Sequence, residues 1–392
     1  MSILGVDHVE LFVGDTDRTA NYLCSALGFR VEGRGGPQTG LPDQESVLLG
    51  QGDIQILVTA GRTAAHPATE YVARHGDGVA VVAFGTVDAS AAFAEAVAQG
   101  ATAVTPPDTH QDGESRVVTA TVSGFGDVVH RLVERHGPGR ELLPGRIVPV
   151  PAATAPPTAV APTSAAATAP PATAPTSAAA TASPDGSDLL LAVDHAAICL
   201  PAGTLEPTVG FYRSAFGFAE IFEEYIQVGE QGMESKVVQS PSGEVTFTLI
   251  QPDTSRTPGQ IDEFLTRHGG AGVQHLAFRT GDIISAVRTF ASRGVAFAMT
   301  PGSYYDVLEQ RLGSVDLPVS ALREAGVLVD QDHWGQMFQI FTQSMHDRRT
   351  LFLELIERHG ARTFGSSNIK ALYEAKEREL AGLREITEAG LG

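Results

Sequence analysis

The sequence predicts an α+β fold: two tandem domains, each made of paired βαβββ modules that form a curved open barrel, with a C-terminal helix as a lid. Three observations support this prediction. Blocks of sequence recur between the two halves, apolar strand patterns alternate with single helices, and a low-complexity segment separates the halves. With 392 residues, the chain is long enough for two domains with full cores.

The repeat runs through both halves of the chain. The segment VDHVEL at 6–11 resembles VDHAAI at 193–198, and YLCSALGF at 22–29 resembles FYRSAFGF at 211–218. Two further pairs of blocks match, 76–84 with 270–278 and 129–137 with 352–360. Self-similarity of this kind is typical of a duplicated structural unit. We therefore expect the two halves to share one fold.

The second half shows the order strand, helix and three strands, twice. The strand around His195 precedes a helix over 206–216, and a second unit starts at Val273 with a helix over 283–293. The remaining strands are expected near 219–228, 234–239, 244–251, 326–331, 337–342 and 351–356. Strands that alternate with single helices, four times along the chain, favour curved mixed sheets around a cavity.

A segment over 148–188 divides the chain into domains. It consists almost wholly of Ala, Pro, Thr and Ser and has no aromatic residue, so it cannot build a core. We interpret it as a flexible linker, with a recognition role for its Pro-rich sequence as the alternative. The domains are then 1–147 and 189–392. Helical spacing over 366–388 predicts the lid.

Composition favours a soluble enzyme of the cytoplasm. The net charge of −19 argues against nucleic acid or an anionic membrane as a partner, since both bind basic patches. The apolar runs fall short of the ~20 residues of a membrane helix, and the N-terminus shows no secretory signal. Cys24 and Cys199 lie in apolar patterns typical of buried free thiols. A homodimer is compatible with these features.

Three strand-like segments of the second half each carry one metal-capable residue: His195, His275 and Glu354. Strand alternation places each residue on the same side as apolar neighbours. A buried carboxylate or an unpaired His is costly there unless it binds a partner or a metal. Two His and one carboxylate form the facial triad that holds Fe(II) and leaves positions open for substrate and O2. The alternative is that each His is a core residue and Glu354 pairs with an Arg.

The first half lacks this set of residues. His8 corresponds to the first of the three, but Val81 and Arg131 stand at the positions of the second and third. One His with a Val and an Arg cannot make a three-ligand site. We therefore expect only the second half to bind metal.

Several blocks of the second half carry a family resemblance. They are GAGVQH at 270–275, YYD at 304–306, LVD at 328–330, QIFT at 339–342 and FGSSNIKALYE at 364–374. Over most of residues 190–380 the chain resembles the family of 4-hydroxyphenylpyruvate dioxygenase and 4-hydroxymandelate synthase, which has the vicinal-oxygen-chelate fold. The resemblance implies tandem domains of this fold, of which the first is metal-free. It also implies Fe(II) held by His195, His275 and Glu354, and 4-hydroxyphenylpyruvate and O2 as substrates.

The resemblance leaves two reactions open. The dioxygenase makes homogentisate from 4-hydroxyphenylpyruvate, and the synthase makes 4-hydroxymandelate. In the strand VTFTLIQP at 245–252, Thr248 and Ile250 stand where dioxygenases typically have Pro and Asn. Ile369 stands where dioxygenases usually have Phe. Because Ile250 cannot hydrogen-bond the ring end of the substrate as Asn can, 4-hydroxymandelate is the expected product and homogentisate the alternative.

The resemblance also implies further substrate contacts. Besides Thr248 and Ile250 they are Ser235, Gln260, Gln339, Phe341, Phe364 and Asn368. Functions of other classes stay open: a metal-free small-molecule-binding protein of the same fold, or a zinc- or nickel-dependent isomerase or lyase. The first predicts that the ligand triad is absent, and the second usually spreads its ligands over both halves of a module.

Overall fold

The computed structural model describes residues 2–137, 139–150, 188–365, 367, 368, 370 and 371. These residues form two curved mixed β-sheets, one in each half of the chain. Each sheet is assembled from two consecutive βαβββ modules, which gives four modules in all. The predicted fold class is confirmed.

The N-terminal sheet has nine strands. The first module contains β1 (Ile3–Phe12), α1 (Thr16–Leu27), β2 (Arg30–Gly35), a 3-10 turn (Pro37–Thr39), β3 (Gln44–Gln51) and β4 (Ile54–Gly61). Helix α2 (Pro67–His75) leads to the second module, which contains β5 (Gly78–Thr86), α3 (Ala89–Ala98), β6 (Ala103–Asp112), β7 (Ser115–Ser123) and β8 (Val129–His136). A short strand, β9 (Val148–Pro149), extends the edge next to β2.

The C-terminal sheet has eight strands. The third module contains β10 (Ala192–Cys199), α4 (Leu205–Phe216), β11 (Ala219–Val228), β12 (Gln231–Gln239) and β13 (Thr246–Pro252), and α5 (Gln260–His268) follows it. The fourth module contains β14 (Gly272–Arg279), α6 (Ile283–Ser292), α7 (Gly302–Asp306), α8 (Leu308–Leu312), α9 (Val319–Ala325), β15 (Leu328–Gln331), β16 (Gln336–Phe341) and β17 (Phe352–His359). Three short helices, α7 to α9, thus enlarge the last module.

The first strands of the two modules pair at the centre of each sheet. Strand β1 is antiparallel to β5, and β10 is antiparallel to β14. Each central strand lies parallel to the last strand of its own module on its other side. This order places β10, β14 and β17 side by side, and these are the strands that carry the predicted metal ligands.

Left-handed glycines end the helices that the repeat predicts. Helix α1 begins after Asp15, whose side chain accepts a hydrogen bond from the amide of Arg18 at 2.9 Å, and ends at Gly28 with φ 82°. Helix α4 ends at the equivalent Gly217 with φ 70°. A side chain is disfavoured at such φ values, so glycine suits the reversal from helix to strand.

A buried hydrogen bond joins the two halves. Nε2 of His130 on β8 lies 2.8 Å from the hydroxyl of Tyr212 on α4, and its Nδ1 lies 3.0 Å from the carbonyl oxygen of Val82. The rings of Phe84 and Phe247 stack on this imidazole. Burial lowers the pKa of His130 to about 4. The neutral imidazole is therefore part of a core that spans both sheets.

Parts of the predicted architecture lie at or beyond the edge of the described residues. The sheet continues two residues into the predicted linker, because Val148 and Pro149 pair with the open edge of β2. Residues 151–187 of the linker lie outside the described residues, and so does most of the predicted lid helix, of which 367, 368, 370 and 371 are helical. Among the described residues, none of the helices combines the length and apolarity needed to cross a bilayer.

Candidate metal centre

Neighbouring strands place the three predicted ligands on one face of the C-terminal sheet. His195 on β10 is opposite Ala277 on β14, which is in turn opposite Glu354 on β17. His275 lies in the next row of that face, opposite Ala197. Cross-strand partners share a face of the sheet. Two alanines, Ala197 and Ala277, are thus the cross-strand neighbours of the ligands on this face.

The donor atoms of the three residues converge. Nε2 of His195 lies 3.3 Å from Oε2 of Glu354, and Nε2 of His275 lies 3.2 Å from the same oxygen. One donor atom from each residue lies within 4.8 Å of the others. His195 and Glu354 are buried and His275 is nearly so. Two imidazole nitrogens and a carboxylate can therefore share one cation.

A second ion pair orients the first ligand. Oδ1 of Asp194 lies 2.9 Å from Nδ1 of His195, and the guanidinium of Arg358 donates to both oxygens of Asp194 at 2.8 and 2.9 Å. Burial raises the pKa of Asp194, but the hydrogen bonds from Arg358 and His195 outweigh it and lower the pKa. An Nδ1–H that donates to a carboxylate leaves Nε2 free to bind a metal.

The carboxylate of Glu354 lies beside two imidazoles, those of His195 and His275. Burial raises the pKa of Glu354, but its contacts with His195 and His275 outweigh burial and lower the pKa to about 2. Burial lowers the pKa of His195, whereas its hydrogen bonds to Asp194 and Glu354 reverse this effect and raise the pKa to about 9. Burial lowers the pKa of His275. The low pKa of Glu354 keeps its carboxylate ionised, as a metal ligand must be.

The residues fit Fe(II). Oε1 of Glu354 is buried and has no hydrogen-bond partner among the described residues. A buried polar atom without a partner costs ~1–3 kcal/mol, and a bound ligand can remove that cost. Two His and one carboxylate are the donor set of the facial triad, which binds Fe(II) and leaves other coordination positions open.

The N-terminal sheet keeps the outline of this site without its ligands. Asp7 lies 2.6 Å from Nδ1 of His8, and Arg135 donates to both oxygens of Asp7 at 2.7 and 2.8 Å. Nη1 of Arg131 lies 3.0 Å from Nε2 of His8, and its Nη2 lies 2.7 Å from Oε2 of Glu10. The guanidinium therefore fills the place that a metal would need.

Phenylalanines border the metal centre. The ring of Phe364 meets His195 edge-on with centroids 5.1 Å apart, and Phe341 meets His275 in the same way at 5.6 Å. Phe352 stacks on His275 at 5.0 Å. Both phenylalanines that the sequence proposed as substrate contacts, Phe341 and Phe364, thus touch a ligand residue.

The strand expected to decide the product lies on the same face. Thr248 on β13 is opposite Ala197, which is opposite His275. Since neighbouring strands are ~4.8 Å apart, Thr248 lies about 10 Å from His275 across the sheet. Ile250 is two residues further on and is opposite Ser235 on β12. These three predicted contacts therefore continue the face that carries the ligands.

Two amides meet at the turn that follows β17. Gly365, with φ 73°, approaches Gln339 so closely that a Cβ atom at this glycine would collide with the Gln339 amide. The backbone N–H of Asn368 donates to the backbone carbonyl of Gly365 at 3.0 Å. Oε1 of Gln339 and Nδ2 of Asn368 are buried and lack a hydrogen-bond partner among the described residues. Both atoms are available to a ligand.

One predicted contact lies apart from the others. Gln260 is the exposed first residue of α5, and its role in substrate binding stays a prediction. Ile369, whose identity supported the expected product, lies outside the described residues.

Sequence reasoning missed the residues that support the ligands. Asp194 and Arg358 were not among the predicted site residues, although a signal for them exists. Both halves of the chain carry an Asp–His pair and an Arg near the end of the last strand, so that Asp7 and Arg135 are their counterparts. An ion pair that recurs in the half without ligands indicates a role in holding the histidine.

Comparison with protein families defines the class. The model of the Glyoxalase/Bleomycin resistance protein/Dioxygenase superfamily matches residues 5–127 and 192–310, which is more than half of the chain. Each matched range contains the start of one sheet and its central pair of strands. The chain belongs to this superfamily.

Relatives of nearly equal length narrow the class. A probable 4-hydroxyphenylpyruvate dioxygenase 2 of Aspergillus fumigatus is 30% identical, over 96% of this chain and 94% of the fungal protein. The 4-hydroxyphenylpyruvate dioxygenase of Xenopus tropicalis is 30% identical, over 95% and 91%. The chain therefore belongs to the 4-hydroxyphenylpyruvate dioxygenase family. The predicted family and the predicted class of enzyme, a non-haem dioxygenase, are confirmed.

Two solved structures have the same fold. A mutant of 4-hydroxymandelate synthase from Streptomyces coelicolor is 42% identical, with a TM-score of 0.80, and the match covers 97% of this chain and 99% of that one. A xylose isomerase-like TIM barrel/4-hydroxyphenylpyruvate dioxygenase fusion protein is 24% identical, with a TM-score of 0.68, over 95% of this chain and 52% of the fusion. At that identity the second match shows the fold alone.

Proposed function

We propose that the chain, with Fe(II), converts 4-hydroxyphenylpyruvate and O2 into 4-hydroxymandelate and CO2. The observation that carries the proposal is the buried cluster of His195, His275 and Glu354, on the same sheet face as Thr248 and Ile250. Identity of 42% with a 4-hydroxymandelate synthase over nearly the whole chain supports it. The reaction balances, since one oxygen atom enters the new carboxylate and the other forms the benzylic hydroxyl.

The residues of the chain prepare the site for this reaction. His195, His275 and Glu354 would hold Fe(II), which would supply the redox chemistry for the 2-oxo acid and O2. Asp194 keeps a proton on Nδ1 of His195, so Nε2 remains a ligand. Phe341 and Phe364 border the ligands and supply apolar surface for an aromatic ring. Because the substrate brings its own 2-oxo acid, no second oxo acid is needed.

The surroundings of Ile250 support hydroxylation at the benzylic carbon. Ile250 packs in an apolar cluster with Cys199, Ile226 and Met233. A substrate ring near this face finds no amide at position 250 to bind its phenol. Thr248, two residues earlier, offers a single hydroxyl. We therefore propose that the ring is less firmly anchored, so that the side chain lies nearest the reactive oxygen.

We also propose a separate role for each of three segments of the chain. Residues 189–392 form the catalytic domain, 148–188 the linker, and 1–147 a domain that binds no metal. The contacts of Arg131 with His8 and Glu10 support the last assignment, because they place a positive charge beside the groups that a cation would need. The substrate contacts proposed within the catalytic domain are Ser235, Thr248, Ile250, Gln260, Gln339, Phe341, Phe364 and Asn368.

Production of homogentisate is the second candidate. The similarity of 28–30% to 4-hydroxyphenylpyruvate dioxygenases over nearly the whole chain favours it. A metal-free binding protein is not favoured, because the ligand cluster is present. Both reactions use the same metal ligands. In one the second oxygen atom enters the benzylic carbon, and in the other it enters the ring and the side chain migrates.

Product analysis tests the proposal. The protein is loaded with Fe(II) under anaerobic conditions, mixed with 4-hydroxyphenylpyruvate, exposed to air and analysed by mass spectrometry. We expect 4-hydroxymandelate as the main product, with one CO2 released and one O2 consumed for each molecule formed. Homogentisate as the main product would overturn the proposed product and keep the family reaction. Absence of turnover with Fe(II) bound would overturn both.

A further inference from the structure

A buried tyrosine ties the helix-rich insertion of the last module to the turn after β17. The hydroxyl of Tyr304 on α7 accepts a hydrogen bond from the amide of Val329 at 2.9 Å and from Nη2 of Arg311 at 2.8 Å. It lies 2.7 Å from Oδ1 of Asn368, to which it can donate. Tyr304 is 1% exposed. The hydroxyl is therefore the central atom of a buried polar network.

Arg311 on α8 reinforces the same contact. Its Nη2 atom also donates to the carbonyl of Val329 at 2.7 Å and lies 3.4 Å from Oδ1 of Asn368. The guanidinium lies over the ring of Tyr304, 4.9 Å from its centroid. Hydrogen bonds from a charged donor are stronger than neutral ones. Two groups, from α7 and α8, thus hold one side-chain oxygen of Asn368, and both are tied to Val329 on β15.

The turn that contains Gly365 and Asn368 also packs against the side-chain amide of Gln339. Asn368 donates its backbone N–H to Gly365, and Gly365 contacts the side chain of Gln339. Ser367 of the same turn is hydrogen-bonded to Asp330 on β15. The position of the turn therefore sets the positions of two buried amides, Gln339 and Asn368.

We propose that Tyr304 and Arg311 are positioning residues for the reaction. They fix the turn from Gly365 to Asn368, and through it the amide groups of Gln339 and Asn368 toward the substrate. Neither residue is assigned a contact with the substrate. The inference rests on the proposed function, because it assumes that these two amides contact the substrate.

A matched pair of tyrosines allows a sharp test. Tyr304→Phe removes the hydroxyl and keeps the ring. Tyr305→Phe is the control: Tyr305 is also buried in α7, and its hydroxyl donates to the carbonyl of Val327 at 3.1 Å, away from the turn. Each variant loses a buried hydrogen bond to the same segment of the chain. Only the first loses the link to Asn368.

Four measurements are compared between the variants and the unaltered protein. They are Fe(II) affinity, kcat/KM for 4-hydroxyphenylpyruvate, the ratio of 4-hydroxymandelate to homogentisate, and hydrogen exchange at the backbone amide of Asn368. For Tyr304→Phe we expect kcat/KM to fall about tenfold, the scale of a small misplacement of a substrate contact. The product ratio changes and exchange at Asn368 becomes faster. Fe(II) affinity stays within about twofold, because the ligands do not touch the network.

For Tyr305→Phe we expect activity, product ratio and exchange at Asn368 to stay within about twofold of the unaltered protein. Arg311→Lys keeps the charge but loses the planar guanidinium that lies over the ring of Tyr304, so it should resemble Tyr304→Phe. Equal effects of Tyr304→Phe and Tyr305→Phe on kcat/KM and on products would overturn the inference.

The exchange measurement separates the inference from the proposed function. If Tyr304→Phe leaves exchange at Asn368 unchanged while the unaltered protein makes 4-hydroxymandelate, the positioning role fails and the function stands. If exchange becomes faster but neither protein converts 4-hydroxyphenylpyruvate, the link to the turn stands, and the proposed function fails together with the role in that reaction.

Discussion

Arg131 has the same position relative to His8 in the N-terminal sheet as Glu354 has relative to His195 in the C-terminal sheet. Nη1 of Arg131 lies 3.0 Å from Nε2 of His8, and Oε2 of Glu354 lies 3.3 Å from Nε2 of His195. Both partners lie on the last strand of the second module in their sheet. The guanidinium of Arg131 can donate a hydrogen bond to the histidine nitrogen but cannot bind a metal. The carboxylate of Glu354 can serve as a second metal ligand beside the histidine. Together with Val81 at the position of His275, Arg131 therefore separates the N-terminal sheet from the proposed metal site of the C-terminal sheet.

The pair of equivalent histidines gives the first prediction. His195→Ala removes a ligand, so we expect Fe(II) binding and turnover to be lost. His8→Ala removes the equivalent histidine of the N-terminal sheet, and we expect one Fe(II) per chain to remain. Metal analysis after anaerobic loading and desalting measures both. Retention of full Fe(II) occupancy in His195→Ala would show that the metal lies elsewhere.

The ion pair between Asp194 and Arg358 gives the second prediction. Asp194→Asn replaces the carboxylate that accepts the Nδ1 proton of His195, and a ligand of this kind loses ~10–100-fold in metal affinity when its outer partner is changed. Asp7→Asn makes the same change in the N-terminal sheet and should leave Fe(II) affinity unaltered. Titration with Fe(II) under anaerobic conditions compares the two. Equal affinities would show that Asp194 stabilises the fold and has no influence on the ligand.

Buried histidines should make the fold sensitive to acid. Burial lowers the pKa of His130 to about 4, and an unfolded chain holds a histidine near its ordinary value of about 6.5. Between pH 6.5 and pH 4, His130 is therefore protonated in the unfolded state but neutral in the folded state. The contribution of His130 to the free energy of unfolding is therefore complete above pH 6.5. It falls as the pH is lowered toward 4, by up to about 3 kcal/mol.

Denaturant unfolding at several pH values from 7 to 4.5 measures this third prediction. His130→Phe loses its hydrogen bond with Tyr212 and is less stable at pH 7, but we expect its stability to fall less steeply with pH. His333→Ala changes an exposed histidine and should keep the original slope. An unchanged slope in His130→Phe would assign the acid sensitivity to other groups.

A left-handed glycine beside the proposed pocket gives the fourth prediction. In Gly365→Ala the new Cβ collides with the Gln339 amide, so we expect kcat/KM to fall ~10–100-fold through misplacement of that amide. Gly243→Ala is the control, since Gly243 has φ 81° and open space around its Cβ position. Both variants carry a similar backbone strain of ~1 kcal/mol. A similar loss of activity in both would indicate strain alone.

Much of the fold could be predicted because it depends on local signals. The strand over 219–228 agrees with β11, and the helix over 206–216 agrees with α4 to within one residue at its start. Alternating apolar residues and helix-ending glycines produce these signals. The helices α7 to α9 were not predicted, because they are only five to seven residues long and interrupt a module. Short segments carry too little periodicity to stand out.

The site was predictable to the extent that its residues are repeated or chemically rare. His195, His275 and Glu354 stand out as polar residues in apolar strands. The network of Tyr304 and Arg311 does not, because its partners are 18 to 64 residues apart and are joined only by the tertiary fold. Pairing of β14 with β10 on one side and with β17 on the other brings the ligands together, whereas the network depends on how short helices pack.

The last prediction concerns the residue expected to decide the product. Ile250→Asn places an amide in the apolar cluster opposite Ser235, where it can bind the phenol of 4-hydroxyphenylpyruvate. The new amide gives the ring end of the substrate a hydrogen-bond partner, so we expect the homogentisate fraction to rise, or O2 to be consumed without matching product. Ile250→Leu keeps an apolar side chain of the same size and should keep 4-hydroxymandelate. Chromatography of products with parallel O2 measurement checks both variants, and unchanged product and coupling in Ile250→Asn would remove this residue from the control of the reaction.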